Sequence, residues 1–337
     1  RACLAAVLAA CLAVKGYSFL VPGKRIGSRT SQVRKPAAVR RMGLWREDSV
    51  LDRADKRISG PIFKLKFPEP LELLLSVPGA FMGFPHAFFG FTPLTMAWFA
   101  SPVGTGSVAA TSALACLAAG LLCFYGGLRG LFDFTQFTKL VIFALPSLCL
   151  AACSGVFGQV PEVAAQAGRM SLAAACLAVA VTIPLKAATD RLRPAAALSL
   201  SDQIAKRRSP LLAPYIKAMC AGGQSREALP SSDAAVMAAN AVLLVQFWHA
   251  PPAAWMPGAL AVTLFSLACF GRMYFWAHHL LDVLVGGSLG AAVASVLVHT
   301  GFGFRPGHVG VSFVIFLVAV AAMQKRTKIF DGDKAHQ

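Results

Sequence analysis

Charge is scarce in this 337-residue chain: only 14% of residues are Asp, Glu, Lys or Arg, against about 25% in a soluble domain. Acids are scarcer still, 15 against 32 Lys/Arg. Two absences narrow the function classes. Nine cysteines are present, but none forms the paired Cys/His spacing of a zinc site, and no disulfide framework is visible. Most lie in apolar runs, where cysteine packs as a small hydrophobe. No basic face interleaved with aromatics appears, so nucleic acid is excluded as a partner. No internal repeat is present, which excludes a solenoid.

What is there is apolar residue, 56% of the chain, with a mean hydropathy of +0.62. Several runs approach the roughly 20 residues that cross a bilayer. The expected fold is all-α, a polytopic transmembrane helical bundle. Spans are predicted at Ser107–Tyr125, Leu140–Phe157, Met170–Leu185, Ala234–His249, Trp255–Phe270, His279–Val298 and Val309–Met323. Leu71–Ala100 is apolar but carries Pro78, Pro85 and Pro93, which argue against one straight helix. It is predicted as an interfacial or re-entrant hairpin, or an irregular span. His86, alone there, is expected at a helix end or interface rather than as a ligand.

The net charge of +17 is concentrated at the start, since Arg1–Lys66 holds fifteen Lys/Arg and four acids. Ala2–Val14 has the length and small residues of a signal-peptide core, and Lys24–Gly43 is basic, Ser-containing and free of acids. The order resembles the two-part leader of algae with secondary plastids. That resemblance implies a plastid membrane, with the endoplasmic reticulum or another endomembrane as the alternative. The first residue is not methionine, which suggests a missing or processed start. Residues 1–43 are thus expected to be a targeting leader, 44–106 a surface segment and proline-broken apolar region, 107–298 a six-helix core, and 299–337 an extra apolar helix with a basic tail.

Three polar clusters interrupt the apolar runs: KAATDRLRP (Lys186–Pro194), LPSSDAA (Leu229–Ala235) and GRMYFWAHHLLD (Gly271–Asp282). The third predicted span ends at the first cluster and the fourth begins at the second. The fifth ends and the sixth begins in the third cluster. Going out and back returns to one membrane face, so all three clusters share it. Lys186, Arg191, Arg193 and Arg272 then supply fixed positive charge, and arginine's planar fork suits a phosphate. Pro230-Ser231-Ser232 precedes an apolar run and can aim N–H groups at an anion. His278 and Asp282 stand four apart, on one helical face. Taken singly, these groups are also explained as membrane-flanking anchors, a helix cap and a simple polar pair.

Together they resemble the type 2 phosphatidic acid phosphatase superfamily, which shares its core with the vanadium haloperoxidases. The first motif of that family, Lys, six residues, Arg-Pro, is met by Lys186 and Arg193-Pro194. The second, Pro-Ser-Gly-His, is here Pro230-Ser231-Ser232-Asp233. The third, Ser-Arg, five residues, His, three residues, Asp, is here Gly271-Arg272, His278 and Asp282. The resemblance implies a six-helix phosphatase-like core. It also implies metal-independent hydrolysis of a lipid phosphate or diphosphate through a phosphohistidine, with no cofactor and no metal. His278 falls in the nucleophile's place, oriented by Asp282. Lys186, Arg193, Arg272, Ser231 and Ser232 fall on phosphate-binding positions. Asp233 stands where the family's leaving-group acid is a histidine and is expected to protonate the leaving oxygen in its place, and Gly271 stands where the family has a serine. An aspartate serves as general acid only if its pKa rises toward working pH. These departures leave open a slow enzyme, one favouring a good leaving group such as a diphosphate, and a relative that binds lipid head groups without turnover. A transporter would predict ionisable groups at span centres, whereas Asp133 and Glu162 lie in breaks between the predicted spans. A haloperoxidase would need the missing histidine.

Overall fold

The computed structural model describes residues 45–46, 49–83, 87, 91–101, 107–129, 161–197, 209–213, 215, 227–248 and 255–335. The leader, His86, Asp133 and the predicted span Leu140–Phe157 lie outside the described residues. The fold is all-α. Among the described residues no strand forms, and one isolated bridge joins Leu192 to Glu227.

Two short helices come first, α1 (Val50–Lys64) and α2 (Glu69–Gly79). Pro78 sits in the last turn of α2, the helix stops at Gly79, and a 3-10 turn follows at Phe81–Gly83. The next short piece is α3 (Thr92–Phe99), so the proline-broken stretch is not one helix. The longer helices are α4 (Ser107–Leu128), α5 (Glu162–Thr189), α6 (Ser232–Phe247), α7 (Met256–Tyr274), α8 (Leu280–Thr300) and α9 (Pro306–Ala335). Glu162, expected in a break, opens α5.

Among the described residues five windows are long and apolar enough to cross a bilayer: Ala109–Gly126, Glu162–Thr189, Met256–Tyr274, Leu280–Thr300 and Pro306–Met323. Helix α6 has 16 residues and is about 24 Å long, short for a span. It lies at the centre of the bundle, packed on α5, α7 and α8.

Small residues permit this packing. Alanine lines the buried face of α5, and it costs little backbone or side-chain entropy in a helix. A Cβ on Gly286 would strike the carbonyl of Ser231, and one on Gly290 the carbonyl of Ala235. Helices α6 and α8 therefore touch backbone to backbone. This draws the C-terminal ends of α5 and α7 and the N-terminal ends of α6 and α8 to one end of the bundle. Thr189 Oγ1 donates to the Leu229 carbonyl at 2.6 Å, Ser231 N to the Asp282 carbonyl at 2.9 Å, and Ala195 N to the Trp276 carbonyl at 3.2 Å.

Candidate active site

The site lies where these four helix ends meet. Helix α7 delivers Arg272 in its last turn, and the connection to α8 carries Trp276, Ala277 and His278. Trp276 adopts a left-handed backbone (φ 60°), uncommon for a bulky residue, so the turn is held by its surroundings. Ala277 N donates to the Arg272 carbonyl at 3.0 Å, and the Trp276 ring packs on Phe63 of α1 with centroids 5.6 Å apart. His278 follows, fully buried.

One edge of the imidazole meets Arg272 and Asp233. His278 Nε2 lies 3.4 Å from Arg272 Nη2 and 4.0 Å from Asp233 Oδ2. The same Arg272 nitrogen pairs closely with Asp233 Oδ2. Arg272 Nη1 donates to the Tyr215 hydroxyl at 2.8 Å and to the Gly79 carbonyl at 3.4 Å. The other edge faces Asp282, with Nδ1 3.8 Å from Oδ2. That is longer than a hydrogen bond, although catalytic hydrogen bonds are often loose in a ligand-free site.

Lys186, in the last turn of α5, and Arg193 are buried and interact electrostatically with Asp233 and Arg272. Burial first, then the repulsion of Arg272, brings Arg193 down to about 10. Burial also governs His278: with Arg193 and Arg272 adding to it and Asp282 opposing, it is brought down to about 3. The imidazole is neutral at ordinary pH, as a nucleophile requires. Burial raises the Tyr215 phenol, with Arg272 opposing.

The two serines make local contacts. Ser231 is the N-cap of α6, its Oγ accepting from Ala234 N at 3.3 Å, and the Ser232 hydroxyl is 2.7 Å from Thr182 Oγ1. Both hydroxyls are engaged in helix packing. Lys186, Arg193, Arg272, Asp233 and His278 are brought into one electrostatic cluster, with Asp282 behind the imidazole.

Gly271 has a packing reason. A Cβ there would lie 2.5 Å from Gly79 Cα and 3.3 Å from the Leu75 carbonyl. Helix α2 crosses α7 at a glycine pair, and a serine has no room.

Sequence reasoning missed a second layer. Arg191 sits under the Trp45 ring, 4.3 Å from its centroid. It pairs with Asp282 Oδ1 at 2.6 Å, Asp55 Oδ2 at 2.7 Å and Asp52 Oδ1 at 3.2 Å. Burial would lower this guanidinium, but Asp282 and Asp55 outweigh it and leave it raised. Asp55, His279 and Asp282 bring possible metal-ligand atoms within 4.8 Å of one another. Arg191 already supplies the positive charge between the two carboxylates.

An all-α bundle that gathers a neutral buried imidazole, a carboxylate behind it, Arg272 against its other edge, and Arg193 and Lys186 in the same electrostatic cluster has the features of a phosphoryl-transfer protein. Residues 168–306 match the family model of the PAP2 superfamily. No curated protein and no solved structure matches the chain.

Proposed function

We propose that the protein is an integral-membrane phosphatase that hydrolyses a lipid phosphate, with lipid diphosphates as its better substrates. The observation that supports this reading most is the surroundings of His278 Nε2. A neutral nitrogen stands 3.4 Å from Arg272, the charge of Arg193 acts on the same ring, and Lys186 interacts with both arginines. In the proposed reaction Nε2 attacks phosphorus. The bond to the leaving oxygen breaks as the N–P bond forms, and the cations take up the charge on the phosphoryl oxygens. Asp282 stabilises the imidazole as it becomes positive. Water then attacks the phosphohistidine, releasing orthophosphate and restoring the imidazole.

Asp233 decides the leaving group. Paired with Arg272 as a carboxylate, it has no proton to give. A lipid alcohol needs one on departure, whereas a phosphate leaving from a diphosphate does not. The charge at the site comes from Lys186, Arg193 and Arg272, so turnover is expected without a metal. The six-helix core is proposed for 107–298, the leader for 1–43, the surface and proline-broken region for 44–106, and the extra helix and tail for 299–337. A plastid membrane is the proposed location, read from the leader and tested by imaging a fluorescent fusion.

Purified protein in detergent with EDTA is expected to release orthophosphate from a polyprenyl diphosphate faster than from phosphatidate. His278→Ala should reduce that release to background. Wild-type rates in the His278→Ala variant would refute the assignment. A second reading, head-group binding without turnover, is favoured by the same Asp233–Arg272 pair, because the carboxylate competes with an incoming phosphate for the guanidinium.

A further inference from the structure

The first turn of α8 leaves N–H groups without partners inside the helix, as every helix does. Here three successive amides are taken up by side-chain oxygens. His279 N donates to Asp282 Oδ2 at 2.8 Å, Leu280 N to Ser59 Oγ at 3.0 Å and Leu281 N to Asp55 Oδ1 at 3.0 Å. The first acceptor is local. The other two come from α1, more than 200 residues earlier in the chain and outside the segment that matches the family. Ser59 Oγ in turn donates to Asp55 Oδ1 at 3.4 Å. Asp52, Asp55 and Ser59 stand three and four apart, on one face of α1, and all are buried.

The same face fixes the charge behind His278. Asp55 gives Oδ1 to α8 and Oδ2 to Arg191, and Arg191 gives its other nitrogen to Asp282. Asp282 is thereby held from two sides, through its helix and through its carboxylate.

We infer that α1 is part of the catalytic framework. Asp55 and Ser59 are positioning residues that cap the helix bearing Asp282, and Asp52 and Asp55 together steady Arg191 against that carboxylate. None of the three acts on substrate. They set the angle at which Asp282 addresses the imidazole, and the inference rests on His278 being the nucleophile. Misplacing a reacting group by about 1 Å can cost on the order of 100-fold in rate, so small shifts of α8 are expected to register.

The test compares the full-length wild type, Asp55→Ala, Asp55→Asn and Ser59→Ala in detergent. Turnover of a polyprenyl diphosphate and binding of orthovanadate, a phosphoryl transition-state mimic, are both measured. Asp55→Ala is expected to lower kcat about 10- to 100-fold while KM stays within about twofold, the pattern of an interaction felt in the transition state. Asp55→Asn should recover part of that loss, because its amide oxygen still accepts from Leu281 N. Ser59→Ala, a milder change that keeps the charges, should show the same split at smaller size. If Asp55→Ala does not fold, Ser59→Ala and Asp55→Asn carry the comparison.

Unchanged kcat in both aspartate variants would overturn the inference. So would losses that merely follow the folded fraction, with Asn no better than Ala. A wild type that binds orthovanadate yet turns over nothing would sink the phosphatase reading alone. The inference is then judged by orthovanadate affinity, expected to weaken about tenfold in Asp55→Ala and less in Asp55→Asn. Equal affinity across the variants, or no orthovanadate binding by the wild type, overturns it.

Discussion

His278 enters the pocket uncharged, and that fixes its pH behaviour. Its ordinary value is 6.5 and burial brings it to about 3. As pH falls, the unfolded chain takes up this proton first, so stability is lost through the interval from 6.5 down to about 3. Above 6.5 the contribution is fully present. Protonation of His278 is expected to cut activity only as pH falls toward about 3, which a profile of kcat/KM against pH will check. Asp233→His restores a group able to donate a proton, and phosphatidate turnover should rise by about 10-fold or more. No gain in the same phosphate-release assay would mean the pocket lacks more than an acid. Arg191→Met strips three buried carboxylates of their shared partner and should cost about 3–5 kcal/mol, read as a drop in thermal midpoint in detergent. His278, Arg272 and Asp282 were legible in the sequence because spacing within one short stretch reports on one turn and one helix face. Asp52, Asp55 and Tyr215 were not. Each is an ordinary residue in its own neighbourhood, and only tertiary approach brings it to Arg191 or Arg272.

At the scale of elements, α1 inverts the usual pattern. Its polar residues Asp52, Asp55 and Ser59 face inward, while Val50, Leu51 and Ile58 are exposed. Sequence pattern gives a surface segment, since acids and a serine three and four apart ordinarily mark a wetted face. The buried guanidinium that reverses this comes from residue 191 and leaves no trace in local periodicity. Helix existence was easier to read. The predicted Met170–Leu185 lies inside α5, Trp255–Phe270 overlaps α7, and His279–Val298 overlaps α8, because long apolar runs allow few alternatives. The α2–α7 crossing was invisible for the opposite reason: a glycine pair carries no pattern. Gly271→Ser matches the family spelling but must push apart two backbones. It is expected to destabilise by about 1–3 kcal/mol and to bring no gain in turnover, measured as thermal midpoint and initial rate on one preparation.

For the whole molecule, parity of crossings placed three distant clusters on one face, and the helix ends do converge. That deduction needed only the order of apolar runs. It did not need the span at 140–157, which lies outside the described residues and before the first cluster. A single cysteine placed at Pro210, which is exposed, in a background with Cys3, Cys11 and the other native cysteines replaced, should react with an impermeant reagent from the same side as one placed at Trp45. The opposite end of α6, near Trp248, should react from the other. Labelling of all three from one side would contradict the bundle's membrane passage. The ladder from Asp55 through Arg191 to Asp282 also bears on maturation. Any leader removal must cut upstream of Asp52: a peptidase acting within α1 would leave the spans intact and release a chain that still inserts but cannot work. Processing there would be an off-switch rather than a trimming step.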